Sequence, residues 1–233
     1  MVKLYQFEVS PFCEKVKRVM NLKKVSYEIV EVPMLAFLRG QAKRFSPTNK
    51  LPAIEDGDVR LADSTDIVEY LEEKYPEPHV YPIVPAEVAM CHVLEDWADE
   101  SLYFYEFYLR FAVPENARRW APELLKYDPE WFQRLGPRLI PRAAAKATRA
   151  QGIGRKSPQT IARDLARHVE AVDGLLGDGK WLVGKSLSIA DLSVFVMLDC
   201  LQGVPEGETA LARKKDVRRW MQRVDEATMA PVL

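Results

Sequence analysis

Pro78, Pro82 and Pro85 fall within the nine residues from Glu77 to Pro85, directly after Pro76, and they divide the chain into two unlike parts. Proline fixes φ and carries no N–H donor, so a run of this kind neither continues a helix nor sits inside a sheet; it reads as an interdomain linker. Upstream, the apolar period switches between two and 3.6; downstream it is helical throughout. The expectation is an α/β domain over residues 1–77, a linker over 78–85 and an all-helical domain over 86–233.

The first part predicts the order βαβαββα. Lys3 to Phe7 alternates as a strand, and Pro11 to about Lys23 is a helix. Tyr27 to Val32 is a second strand, with Tyr27, Ile29 and Glu31 on one side. Pro33 to Phe45 is a weaker helix broken at Gly40, followed by the turn-rich Ser46–Lys50. Leu51 to Glu55 is a strand, and Pro52 at its start marks an edge or a cis bond. Asp56-Gly57 closes a hairpin onto Val59–Leu61, and Asp63-Ser64-Thr65-Asp66 opens a helix that stops before Pro76.

The junction Ser10-Pro11-Phe12-Cys13 carries the chemistry. Ser10 suits an N-cap, Pro11 the first helical position and Glu14 the positive end of the helix dipole. A hydroxyl beside free N–H groups can also seat an anion or a thiolate. Taken alone, Ser10 reads as a helix cap. Cys13, Val16, Val19 and Met20 share one helical stripe, which turns Cys13 toward the core.

Charge narrows the function. Lys and Arg total 33 against 34 Asp and Glu, a net charge of -1. The whole chain therefore sets up no long-range field for nucleic acid or an anionic membrane. No apolar run approaches the ~20 residues of a bilayer span, and no signal peptide opens the chain. Cys13, Cys91 and Cys200 lie far apart, the pattern of free thiols in a reducing cytosol rather than of a disulfide framework or zinc site. His79, His92 and His168 suggest neither a triad nor a metal cluster.

In the second part, Ala86 to Phe111 predicts a long helix whose far end, Tyr103–Phe111, holds six aromatics in nine residues. They cannot all face one core, so one or two are candidates for a pocket lining. Glu123 to Arg149, interrupted by Pro129, Pro137 and Pro141, predicts two shorter helices. Gln151 to Pro158 looks like a phosphate loop but lacks the preceding strand and the spacing. Ile161–Leu176 is a further helix. Ser188-Ile-Ala-Asp191 is a capping box opening Leu192–Leu201, with Asp191 in a structural role.

Ser10-Pro11-Phe12-Cys13, Lys50-Leu51-Pro52 and Asp63-Ser64, in that order with the hairpin between the last two, together resemble the N-terminal domain of the cytosolic glutathione S-transferases. The Ser188–Asp191 box extends the resemblance to the second domain, and some features are shared with the omega and metaxin-like branches. The resemblance implies a thioredoxin-like domain followed by a helical one. It implies that Ser10 donates to the sulfur of glutathione, that Phe12 belongs to the same binding set, and that the Leu51 backbone before a cis Pro52 pairs with the cysteinyl unit. Lys50 would meet the glycine carboxylate, and Asp63 and Ser64 the γ-glutamyl ammonium and carboxylate. Omega-type transferases carry Cys where Ser10 stands, so a theta- or zeta-like serine chemistry is expected. The implied activity is conjugation of glutathione, as co-substrate and without metal, to a small apolar electrophile, or reduction of a peroxide. A cytoplasmic homodimer in detoxification is the implied setting. The alternatives are a thiol transferase using Cys13 and a non-catalytic binding module.

Overall fold

The computed structural model describes residues 1–229; the last four residues of the expected second domain lie outside the described ones. The chain forms two compact units. The first gathers residues 1–80 with 122–136 and the described residues from 227 on, and the second holds 81–121 and 137–226. The change of unit at residues 80 and 81 falls inside the proline-rich stretch, and two later segments return to the first unit.

In the first unit, strands β1 (Val2–Gln6), β2 (Tyr27–Glu31), β3 (Ala53–Asp56) and β4 (Val59–Ala62) form one mixed sheet in the order β2-β1-β3-β4. β1 runs parallel to β2, with Leu4 opposite Ile29. It runs antiparallel to β3, which pairs antiparallel with β4. Helices α1 (Pro11–Leu22), α2 (Met34–Leu38) and α3 (Ser64–Lys74) complete the βαβαββα order that the alternation predicts. Leu4, Ile54, Val16, Val19, Met20, Ile67 and Leu71 are fully buried and make the core. Ile29, on the edge strand β2, is 46% exposed.

The second unit is helical. α4 (Pro85–Trp97) runs through a π-helical turn (Ala98–Leu102) into α5 (Tyr103–Phe107) and a second π-helical turn (Tyr108–Ala112). Each π turn shifts the helical phase, which distributes the crowded aromatics. Tyr105 and Phe111 are buried, while Tyr103 stacks on Phe107 at 5.7 Å. α6 (Pro114–Leu124) and α7 (Glu130–Gln151) follow, then α8 (Pro158–Leu176), α9 (Ile189–Leu201), α10 (Pro205–Ala212) and α11 (Lys215–Thr228); residues 122–136, at the end of α6 and the start of α7, and the last residues of α11 count with the first unit. Pro129 separates α6 from α7 as expected. Pro137 and Pro141 do not divide α7, which stays one helix of 22 residues. Each proline removes one hydrogen bond, and burial of the Phe132, Gly136, Ala144 and Thr148 row holds the helix together.

α9 is the buried helix of this unit, with eleven of its thirteen residues buried. Its start is fixed by Asp191, which is fully buried. Asp191 Oδ1 accepts from Leu182 N–H and Trp220 Nε1–H, both at 2.8 Å. Its Oδ2 accepts from Ser188 N–H and Ser188 Oγ–H, both at 2.9 Å. Burial pushes this carboxyl above the usual range, against the pull of its four donors.

Candidate functional site

The sheet register brings the three sequence motifs to one end of the first unit. β1 runs toward Ser10, and Tyr5, near its end, lies opposite Ala53, the first residue of β3. Ala53 lies in turn opposite Ala62, the last residue of β4. The β1–α1 junction, Leu51-Pro52 and Asp63-Ser64 therefore share one edge, the carboxyl end of β1, β2 and β4. In open α/β sheets the crevice at the carboxyl ends of parallel strands is the usual ligand site.

Ser10 is extended (φ -85°, ψ 123°) and caps α1, its Oγ accepting from Cys13 N–H at 3.4 Å. Its own N–H donates to the Phe7 carbonyl at 3.0 Å, which fixes the loop. That cap bond is long for its kind, so a competing partner for the hydroxyl displaces little. Phe12 is half-buried in the first turn. Cys13 is fully buried, and burial pushes its thiol up to about 11. At pH 8 this leaves roughly one thiol in a thousand ionised. We expect Cys13 to resist a disulfide reagent at pH 8 in the native protein and to react on unfolding, as a thiol titration with and without denaturant reports. Prompt native modification of Cys13 would contradict that burial.

The Leu51–Pro52 peptide is cis. Upstream, the buried Ser46 Oγ donates to the Lys50 carbonyl at 2.7 Å and accepts from Lys50 N–H at 3.0 Å, so the loop is closed while the Lys50 side chain stays exposed. Asp63 N–H donates to the Pro52 carbonyl at 3.4 Å, which ties the two motifs together. Asp63 has φ 100° and ψ 133° and caps α3 through Oδ1, which accepts from Thr65 N–H at 3.0 Å. A non-glycine residue at this φ costs of order 1–3 kcal/mol, and such strain gathers at functional sites. Ser64, 4% exposed, opens α3 beside it. Among the described residues no group of three metal-ligating side chains occurs.

Sequence reasoning missed a strap of three consecutive residues. Lys126 Nζ and Tyr127 O–H donate to the Glu8 carboxylate, two residues before Ser10, at 2.9 and 3.0 Å. These donors hold the Glu8 carboxyl below the usual range. Asp128, 5% exposed, accepts from Met34 N–H and Leu35 N–H at 2.9 and 2.7 Å, capping α2 from more than ninety residues away. The strap thus crosses the loops after β1 and β2. No local pattern announces it, because each of its partners is distant in sequence. Asp128→Ala leaves two N–H groups without their acceptor and is expected to cost about 1–2 kcal/mol, the range of a lost helix cap. Hydrogen exchange at residues 34–38 is expected to rise; unchanged protection there would show that α2 does not depend on the strap.

A mixed four-stranded sheet with this helix order, a cis-proline loop and a strained residue opening the next helix define a thioredoxin-like unit, here joined to a helical one. The models for the glutathione S-transferase N-terminal and C-terminal domains match residues 4–79 and 144–228. Glutathione S-transferase Z2 of Arabidopsis thaliana is 35% identical over 88 residues, which are 37% of this chain and 38% of that relative. The match thus covers well under half of the relative's length. The isoprene-epoxide–glutathione S-transferase of Rhodococcus sp. (strain AD45) is 22% identical over 234 residues, 93% of this chain and 92% of the relative. Beta-etherase LigF of Sphingobium sp. strain SYK-6 has the same fold, with a TM-score of 0.69 at 23% identity, covering 96% of this chain and 94% of that one. The chain belongs to the cytosolic glutathione S-transferase superfamily.

Proposed function

We propose that the protein is a glutathione transferase in which Ser10 stabilises the glutathione thiolate. The observation that carries this reading is the meeting of Ser10, the cis Leu51–Pro52 bond and the strained Asp63 at one end of the sheet. Leu51 offers an edge backbone to the cysteinyl unit of glutathione. Ser64 and the start of α3 take the γ-glutamyl carboxylate, Asp63 takes the ammonium, Lys50 the glycine carboxylate, and Phe12 packs beside the tripeptide. Residues 1–77 then bind glutathione, 78–85 link, and 86–233 form the substrate-binding domain of a chain that acts as a homodimer.

A free thiol of pKa ~8.5 is only about 3% ionised at pH 7. The Ser10 hydroxyl and the α1 N-terminus favour the anion, and a drop of roughly two units, about 2.7 kcal/mol, makes thiolate the majority form. The thiolate sulfur then forms a bond to an electrophilic carbon, whose leaving group departs with the electron pair. With a peroxide, the sulfur instead bonds to one oxygen as the O–O bond breaks, and the other oxygen leaves with the electron pair and is protonated to an alcohol. A second glutathione converts the sulfenic acid to the disulfide and water. Ser10 is a donor rather than the nucleophile, since among the described residues its hydroxyl meets the Cys13 N–H and not a general base. Burial of Cys13 and its raised pKa speak against thiol transfer through that residue.

Calorimetric titration with reduced glutathione, on the native protein and on Ser64→Ala, tests the binding half. The substitution is expected to weaken binding about tenfold or more, the cost of losing a hydrogen bond to a charged group. Absence of glutathione binding by the native protein would overturn the proposal. Binding without turnover across electrophiles and peroxides would assign the chain to the non-catalytic modules.

A further inference from the structure

The near-zero net charge hides a strong local separation. α7 carries Arg134, Arg138, Arg142, Lys146 and Arg149 against one acid, Glu130. Four of these bases recur at intervals of four, forming a single row, and all five side chains are exposed. Trp131, Leu135 and Leu139 form the neighbouring row, and they too lie open at 53%, 44% and 46% exposure. The basic row lies opposite the buried Phe132, Gly136, Ala144 and Thr148 side of the helix, and the apolar row flanks that side, Leu135 and Leu139 following Phe132 and Gly136 by three residues. The one acid does little to cancel the bases: its pair with Arg134, 3.3 Å, is more than four-fifths exposed on both sides.

We propose that this face of α7 docks on the surface of an anionic phospholipid bilayer. The helix of 22 residues is roughly 33 Å long at 1.5 Å per residue, the size of helices that lie in the plane of a membrane interface. Trp131, Leu135 and Leu139 would enter the headgroup region, while the long Arg and Lys chains beside them reach the phosphates. A convex helix face with interleaved apolar and basic rows suits a flat, laterally uniform anionic surface; an acidic peptide would be better held by a groove. The described helices include none long and apolar enough to cross a membrane, so the contact is peripheral.

Sedimentation of the full-length protein with vesicles tests this. The protein is expected to sediment with phosphatidylcholine–phosphatidylglycerol vesicles, to stay in solution with phosphatidylcholine alone, and to be released by high salt. Arg138→Glu/Arg142→Glu/Lys146→Glu is expected to lower vesicle affinity at least about a hundredfold, and Trp131→Ala about tenfold. Circular dichroism monitors folding of each variant. Should the triple variant unfold, the milder Arg142→Gln/Lys146→Gln carries the same test. No sedimentation with the mixed vesicles, equal sedimentation with neutral ones, or unchanged affinity in the charge variants would overturn the proposal. So would binding to soluble polyglutamate without vesicle binding, which would assign the face to an acidic protein partner.

Discussion

Ser10→Ala is expected to cut glutathione conjugation by one to three orders of magnitude while glutathione affinity stays nearly unchanged. The split follows from where the hydroxyl sits. At the start of α1 it makes one long bond, 3.4 Å, to Cys13 N–H, so its loss takes little from the helix. The contacts proposed to hold the tripeptide lie elsewhere, at Lys50, Leu51, Asp63 and Ser64. What the substitution removes is one oriented donor to a developing sulfur anion, and single donors of that kind are worth ~10²–10³ in rate where they have been removed. The apparent thiol pKa of bound glutathione, followed by thiolate absorbance against pH, is expected to rise toward its solution value. Full activity in Ser10→Ala would sink the assigned role; activity lost instead in Cys13→Ala would make the protein an unusual thiol transferase.

Asp191→Ala is expected to be the most destabilising single change in the second unit. It strips the acceptor from Leu182 N–H, Ser188 N–H, Ser188 Oγ–H and Trp220 Nε1–H at once. Trp220 and Asp191 are fully buried and Ser188 nearly so, leaving water little access to replace what is lost. An orphaned buried donor costs about 1–3 kcal/mol, so a loss of about 4 kcal/mol or more is expected. Domains are commonly stable by only about 5–15 kcal/mol. Urea unfolding followed by tryptophan fluorescence measures it directly. Asp191→Asn keeps one acceptor oxygen and is expected to lose less, whereas a loss below about 1 kcal/mol in the alanine variant would show that the cluster rearranges.

Local chemistry was readable where one short stretch contains both partners of an interaction. Ser10 with Cys13 N–H, Asp63 with Thr65 N–H and Ser188 with Asp191 are of that kind, and the capping patterns announce them. The order of elements along the first unit followed from the alternation and the Asp56-Gly57 turn, whereas the strand order β2-β1-β3-β4 appears only in the structure. The second partner of Asp191, Trp220, was not readable, because 29 residues separate them. Asp128 capping α2 was hidden for the same reason. Two helix readings went astray on packing: Pro137 and Pro141 look like breaks until the buried row beneath them is known, and the π turns around Tyr103–Phe107 leave no period in the sequence. The bases of α7 vanish into the overall balance unless counted on that helix alone.

The strap at residues 126–128 bears on how the first unit can be made. Met34 N–H and Leu35 N–H donate to Asp128, and the buried Arg18 donates to Thr228 Oγ1 at 2.8 Å. As the chain leaves the ribosome, the sheet can form early, but the loop edge that carries the candidate site stays unfinished until residue 128 has emerged. Arg18 and Asn21 of α1 wait for residue 228. A gene fragment ending at the proline-rich stretch would encode a sheet without its clasp. In recombination, this thioredoxin-like unit is therefore not a portable cassette; it travels intact only with two later pieces of the same reading frame.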